Sequence, residues 1–509
     1  MIKHRYFLVF LLFWVVLNIV TAIRTELYAD EAYYWMYSQF LDWGYFDHPP
    51  GVALVIKLGE FFGKNEFGVR IANILITATS IALIYRETKP KNVLIYCLTV
   101  FSFLVLHLIG FLSLPDGPFF LSGILFLLAY KKFLKNMSLK NQFLLALTAA
   151  LMIYCKYHGF VVILFTLASN LALFKKYQTY IVAIIAFTLI SPHVYWQVTN
   201  DFPSLSYHLA DRAAPEYSIN QTLEFLFGNL PFLGGLVAVI LFIAAFYFKP
   251  TDKWEKAMKW NLFGMFIFFL LITFKGQFIE ANWTLFCVFP ILVLGYRQIE
   301  NSKYFNAYKY FTYIFAGLML LIRIHILSPF GVFEKDRVWD FYGSTAFAKD
   351  IKKAAGASKI AANRYQEASL LNFYLDEPYT IPALNINFRA NQYSIWQFDK
   401  AFCNENLVYV NRHLDGEKVH RNFQEFMLSD LHKVAFINCQ EVKILDHEQN
   451  EKSLNLKVAL ADSPSEIVLN NFSFIIAYYQ EKEKIKDFEI DLNDLEFQEN
   501  LVDLKLELP

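Results

Sequence analysis

Up to about residue 330 the chain alternates apolar stretches near bilayer-spanning length with short charged loops, the pattern of a polytopic membrane protein. The stretches 6–23, 66–85, 92–111, 117–130, 141–155, 158–174, 179–195, 222–248, 258–274, 283–297 and 309–328 predict roughly eleven spans. Those at 117–130, 141–155 and 283–297 are short, and 51–62 reads as either a further span or a re-entrant piece. After residue 330 the pattern turns polar. It predicts strands over 359–363, 406–410 and 433–438 and helices over 366–374 and 422–431, a mixed α/β soluble domain of βαβ order. The division is therefore 1–330, a membrane domain, and 331–509, an accessory domain.

Composition agrees: 56% of positions are apolar and 18% charged, which excludes a disordered chain, a collagen or a small disulfide scaffold. The formal net charge of +0 hides an asymmetry. The first 330 residues hold 26 basic and 17 acidic side chains, the last 179 hold 20 and 29. The basic excess lies in alternate loops: Lys3 and Arg5; Arg86, Lys89 and Lys91; Lys131, Lys132, Lys135 and Lys140; Lys175 and Lys176; 249–259; and Arg297 to Lys309. Such loops stay on the cytoplasmic side. With an odd number of spans the polar domain then lies outside, in the periplasm of a bacterium; an even number inverts this. The first stretch also has features of a signal peptide, with Lys3, His4 and Arg5 ahead of an apolar run and Val20-Thr21-Ala22 after it.

The chemistry-bearing residues sit in the loops on the other face. The first runs from Glu26 through Asp30-Glu31-Ala32-Tyr33-Tyr34-Trp35 to Tyr45-Phe46-Asp47-His48-Pro49-Pro50. Its aromatics suit a helix lying at headgroup depth, where anchoring is their plainest role. Asp30 and Glu31 equally suit the first turn of any helix. Asp116 lies in Pro115-Asp116-Gly117-Pro118, a turn in its own right. Lys156 and His158, His193 and Trp196, and Lys275, Glu280, Asn282 and Trp283 fall on the same face. Singly, each of these has an ordinary interfacial reading, and for Lys156 that is a snorkelling lysine. Together they make a polar set at the end of apolar helices, which marks function.

In sequence order, Asp30-Glu-Ala-Tyr-Tyr-Trp, Tyr-Phe-Asp47-His48-Pro-Pro, Pro115-Asp116-Gly-Pro, Lys156-Tyr157 and Glu280-Ala-Asn282-Trp283 resemble the GT-C membrane glycosyltransferases. The similar branch is the bacterial one related to protein O-mannosyltransferases and the aminoarabinose transferase of lipid A. The resemblance implies a GT-C type α-helical polytopic membrane protein, about 11 to 13 transmembrane helices in all, in the bacterial inner membrane. It also implies transfer of a sugar from a polyprenyl-phosphate donor to a lipid A, glycan or protein acceptor on the periplasmic face, by inverting displacement. An outward site fits a lipid-linked donor, since nucleotide sugars are cytoplasmic, and nothing points to nucleic acid.

By the same resemblance Asp30 is the catalytic carboxylate, acting as general base or acceptor positioner, with Glu31 and Asp116 beside it. The departing phosphate asks for a fixed cation, Lys156 first, then His48 and Lys275. Tyr33, Tyr34, His158, His193, Trp196, Glu280, Asn282 and Trp283 are the expected substrate contacts. In the aminoarabinose transferase the acidic residue matching Asp47 contributes to a metal site. A divalent Zn, Mn or Mg ion held by Asp47 and His48 is therefore an expectation, although His48 stands where that relative has lysine.

Cys97, Cys155 and Cys287 read as apolar fillers, and Cys403 with Cys439 as a pair able to form a disulfide outside the cytoplasm. In the polar domain, Arg364, Tyr365, Arg389, Gln392, Tyr393 and Trp396 are possible sugar or phosphate contacts with ordinary surface duty as the plainer role. The competing class is a lipid or sugar-lipid flippase, whose site belongs nearer the midplane among broken helices.

Overall fold

The apolar stretches fold as helices because a backbone in hydrocarbon must satisfy its own polar groups. The computed structural model describes residues 2–207, 217–276, 279–328, 337–386, 388–402, 405–412, 414, 416–434, 443–449, 453–459, 473–480, 483–491, 495 and 501–507. It divides into two units, Met1–Tyr342 and Gly343–Pro509.

In the first unit the order is α1 (Ile2–Arg24), α2 (Ala29–Gln39), α3 (Gly51–Gly59), α4 (Glu66–Thr88), α5 (Val93–Phe101), α6 (Leu104–Phe111), α7 (Asp116–Lys135), α8 (Leu139–Cys155), α9 (Gly159–Ala168), α10 (Tyr177–Thr199), α11 (Pro203–Ser206), α12 (Ile219–Tyr247), α13 (Lys253–Thr273), α14 (Val288–Pro290), α15 (Tyr296–Glu300) and α16 (Phe305–Leu327). Among the described residues six helices are long and apolar enough to cross a membrane: α1, α4, α7, α10, α13 and α16. Two bent pairs raise the number to eight. They are α5 with α6, at 71°, and the two parts of α12, at 77°. The protein is a polytopic α-helical membrane protein with a C-terminal mixed α/β domain.

Three of the eleven expected spans fall outside these eight: the stretch 141–155 lies in α8, a shorter apolar helix of 17 residues, and two others take different forms. The stretch 158–174 breaks after Ala168, and the ten residues of α9 reach about 15 Å, half a hydrocarbon layer. The stretch 283–297 is a 3-10 turn (Ala281–Cys287), α14, a π turn (Ile291–Gly295) and the start of α15. Leu285, Phe286, Val288, Phe289 and Ile291 are fully buried. This segment packs inside the bundle, so its length need not match a lipid-facing helix. Cys97, Cys155 and Cys287 are buried and unbridged, as fillers should be; Cys403 and Cys439 lie outside the described residues.

The helix ends sort by chemistry. At one end the base-rich loops are cross-linked. Lys131 pairs with Glu87 at 2.6 Å and Arg297 with Glu255 at 2.8 Å. Glu300 accepts the backbone N–H groups of Lys91 and Asn92. This basic pole gathers the ends of α4, α7 and α15 and the starts of α5 and α13. The loops holding the candidate site residues meet at the opposite pole.

In the second unit, β1 (Lys359–Ala362), α18 (Tyr365–Tyr374) and β2 (Glu405–Asn411) form the expected βαβ, with β1 and β2 parallel; α17 (Ser344–Ala355) precedes them. The sheet continues in the order β1-β2-β4-β3. The helix expected over 422–431 is instead strand β4 (Gln424–Val434), antiparallel to β3 (Glu417–Arg421). The register pairs Arg421 with Gln424, so Asn422 and Phe423 form the turn, and Asn422 takes φ +55°. Asn tolerates that left-handed value. Phe426 and Leu428 then bury on one face while Glu425 is exposed and Met427 half-buried on the other, a period of two over 425–428. Strand β4 ends at Val434, and the rest of the stretch 433–438 lies outside the described residues. Five further strands, β5 (Lys443–Gln449), β6 (Ser453–Ala459), β7 (Ser473–Gln480), β8 (Glu483–Asp491) and β9 (Leu501–Glu507), pair as β5-β6-β9 and β7-β8.

Candidate functional site

Helix α2 begins with Asp30 and Glu31 in its first turn, where carboxylates complement the helix dipole. Its tyrosines are buried within the protein rather than presented on its surface. Tyr33 is 2% exposed, Tyr34 8% and Tyr37 0%. They turn inward because their hydroxyls have a buried acceptor: Tyr33 Oη donates to Asp47 Oδ2 at 2.8 Å and Tyr37 Oη at 3.4 Å. Burial, then the neighbouring Tyr33 and Asp47 charges, push the Tyr37 phenol well above its usual range, so its proton stays in place to be donated. The loop 42–50 is thereby fixed against α2. His48 packs edge-on against Tyr34, ring centroids 5.6 Å apart.

Glu31 and Arg70 form the most enclosed ion pair of this pole, both side chains 0% exposed. Arg70 Nη2 and Nε donate to the two carboxylate oxygens at 2.6 and 2.9 Å, a bidentate pair. The guanidinium also donates to the carbonyls of Thr25 and Glu26. Glu31 accepts from the backbone N–H of Tyr28 at 3.1 Å and of Ser113 at 2.9 Å. This strut joins α1, α2, α4 and the loop before α7. It binds the turn that carries Asp30 to the loop that carries Asp116.

Asp116 opens α7 behind Pro115, and Lys156 closes α8. Lys156 Nζ donates to Asp116 Oδ1 at 2.8 Å, with side-chain exposures of 5% and 4%. Asn282 Nδ2, from the start of the 3-10 turn after α13, reaches Asp116 Oδ2 at 3.2 Å. Three segments that the sequence marked separately thus meet at one carboxylate. Of the three N–H donors of an ammonium group, Lys156 spends one on Asp116. The buried Oδ1 of Asn282 has no hydrogen-bond partner among the described residues.

The remaining loops close around this centre. A Cβ on Gly51 would come within 2.7 Å of the Tyr154 carbonyl and 2.9 Å of Cys155 Cα. Only glycine lets the Asp47-His48-Pro-Pro turn approach α8 beside Lys156. His193 Nε2 bonds Tyr157 Oη at 3.0 Å and Nδ1 the Trp43 carbonyl at 2.7 Å, while Trp196 Nε1 donates to Asp42 at 2.8 Å. Both rings are buried and serve to hold the first loop. His158 stacks edge-on against Trp283 at 4.9 Å, one residue beyond Asn282. Asp30 and Glu280 are half-buried. Lys275 is exposed, and no bond among the described residues ties it to Asp116 or Lys156.

Asp47 and His48 offer a cation two adjacent donors. No group of three His, Cys, Asp or Glu side chains suited to a metal gathers among the described residues. A closed zinc site takes four donors and a catalytic one three. The Asp47 carboxylate accepts hydrogen bonds from two phenols through Oδ2.

Sequence reasoning passed over Arg70, Asp42 and Gln197. Arg70 carries a signal of its own, an arginine inside an apolar span, which in hydrocarbon is costly unless paired. Asp42 and Gln197 carry none, because their partners Trp196 and Tyr157 are distant in sequence. In the second unit the candidate aromatics and arginines pack on one another. Arg389 lies over the Tyr365 ring, Arg364 over Phe388, and Trp396 edge-on to Tyr393.

Residues 47–196 match the family described as dolichyl-phosphate-mannose-protein mannosyltransferase. Over 285 residues the chain is 26% identical to the lipid A galacturonosyltransferase RgtD of Rhizobium johnstonii. That match covers 51% of this chain and 58% of the relative's length. In fold it is similar to ArnT from Cupriavidus metallidurans in the apo state, with a TM-score of 0.58 at 12% identity, over 84% of this chain and 98% of the other. The same protein bound to undecaprenyl phosphate gives 0.56 at 13% identity, over 83% and 97%. At these identities the likeness is one of fold.

Proposed function

Since the chain belongs to the GT-C membrane glycosyltransferases related to the PMT- and ArnT-like lipid A transferases, we propose that it transfers a sugar from a polyprenyl-phosphate donor to a membrane-associated acceptor. The reading rests above all on the Asp116–Lys156–Asn282 cluster, a carboxylate, a cation and an amide from three segments at the pole opposite the basic loops. By the distribution of lysine and arginine the basic pole faces the cytoplasm, so the reaction takes place on the outer, periplasmic side, with a lipid A, glycan or protein acceptor.

In the proposed reaction the acceptor oxygen attacks the anomeric carbon as the carbon–oxygen bond to the lipid phosphate breaks, with inversion. The bonding pair of that broken bond leaves on the phosphate. Lys156 meets the developing charge with its remaining N–H donors, held in place by Asp116, a positioning residue. Asp30, next to the Glu31 strut, takes the proton of an acceptor hydroxyl; for an acceptor phosphate it orients the nucleophile instead. Glu31 acts through Arg70 and Ser113 as a structural support.

The test is the purified protein reconstituted with an undecaprenyl-phosphate-linked sugar and envelope lipids, product masses being read by mass spectrometry. Expected is an acceptor heavier by one sugar, lost on Lys156→Met. Movement of intact donor across the bilayer with no cleaved lipid phosphate would overturn the proposal in favour of a flippase.

A further inference from the structure

Starting at the basic pole, a groove of about 910 Å3 runs along α13 from Lys253 to Leu271. Its polar end is formed by Lys253, Lys256 and Trp260 and its apolar end by Phe165, Ile267 and Leu271. The α13 residues recur every three or four positions, so they share one helix face. That face is open: Lys253 and Lys256 are exposed, Trp260 is 43% exposed, Ile267 54% and Leu271 58%. The Phe165 ring lies where a Cβ on Gly264 would stand, 2.4 Å from Cδ1, so α9 supplies a side wall.

The charges of the rim are not neutralised from within. Asp252 accepts the Glu255 backbone N–H as a helix cap. Glu255 takes Thr251 and Arg297. Lys259, lining the same groove, is held by the carbonyls of Phe246 and Phe248 at 2.6 and 2.7 Å. Lys253 and Lys256 make no ion pair among the described residues. Along the stripe come two cations, an indole able to sit at headgroup depth, then aliphatic surface. That is the order in which a phospholipid presents phosphate, glycerol and acyl chain.

We propose that this groove binds an anionic glycerophospholipid of the leaflet at the basic pole. Its phosphate lies between Lys253 and Lys256, and one acyl chain runs past Trp260 toward Leu271. The site is separate from the transfer site and does not depend on the reaction assigned there.

Full-length protein purified in detergent is loaded with phosphatidylglycerol and phosphatidylcholine, and the lipids retained after partial delipidation are counted by native mass spectrometry. Phosphatidylglycerol is expected to be retained in preference, and K253E/K256E to lower that retention about tenfold. The milder K253Q/K256Q gives a smaller loss of the same sign and serves if charge reversal harms folding. K135E/K140E, the same change of charge at exposed positions of the same pole, leaves retention unchanged. Inorganic phosphate does not displace the lipid, because it offers no acyl chain. Equal loss in both charge-reversed proteins, no loss in either groove variant, or displacement by inorganic phosphate overturns the proposal.

Discussion

Two buried ion pairs stand at the same pole and differ in how completely they are used. Glu31–Arg70 is saturated. The carboxylate accepts from the guanidinium twice and from two backbone N–H groups, and the guanidinium spends its other donors on the end of α1 and the loop after it. Asp116–Lys156 is nearly as well buried, yet the lysine ammonium makes a single hydrogen bond among the described residues. Burying two charges is costly, and a pair with every hydrogen bond made recovers most of that cost. A saturated pair is therefore architecture, whereas a pair with donors to spare can still answer a charge that arrives. The geometry separates two acids that the motif Asp30-Glu31 places side by side.

The largest effect expected is from Arg70→Met. It strands the Glu31 carboxylate in a site with 0% exposure, and loss of one partner from a buried pair costs about 3–5 kcal/mol. The measurement is the thermal unfolding midpoint in detergent. Glu31→Gln in the Arg70→Met background should recover part of the loss, since the stranded charge goes with it. If Arg70→Met unfolds at the wild-type temperature but is inactive, the strut belongs to the chemistry and the contrast between the pairs collapses.

Next in size is Lys156→Met combined with Asp116→Asn. The double change removes both charges, so folding is kept, while kcat on a polyprenyl-phosphate sugar should fall about 10²–10³-fold with KM little altered. Wild-type kcat in this variant would make the pair a second strut. Asp30→Asn follows, with an expected loss of about 10²-fold on a hydroxyl acceptor. Its unfolding midpoint should fall by no more than a few degrees, because Asp30 is half-buried at the start of a helix and a first-turn carboxylate is worth about 0.3–1 kcal/mol.

The sequence told much about which segments converge and little about what each side chain does there. Hydrophobic stretches locate helices because bilayer thickness sets their length. They misled at 283–297, where a segment enclosed by protein is freed from that constraint, and at 158–174, where it ends early. The poles were legible because lysine and arginine mark one side. Asp116, Lys156 and Asn282 were each marked, yet their meeting was not, since it depends on packing among helices far apart in sequence. The pairing of Glu31 with Arg70 was not legible beside Asp30, because a carboxylate's partner 39 residues away is invisible in local sequence. The period of two in β4 was masked by polar residues on both faces, and the Asn422 turn was its better signal.

Tyr33→Phe tests a third way of holding a buried carboxylate, by hydroxyls. Asp47 is 5% exposed and accepts from Tyr33 at 2.8 Å and Tyr37 at 3.4 Å. Removing the shorter bond leaves the longer, and a single hydrogen bond is worth about 1 kcal/mol. A fall of a few degrees in the unfolding midpoint with activity within about threefold of wild type places Asp47 with the architecture, beside Glu31. Tyr37→Phe should cost less, in keeping with its length. Loss of activity comparable to that of the Lys156 variant, at an unchanged midpoint, would instead move Asp47 into the transfer site and make the phenols its positioning groups.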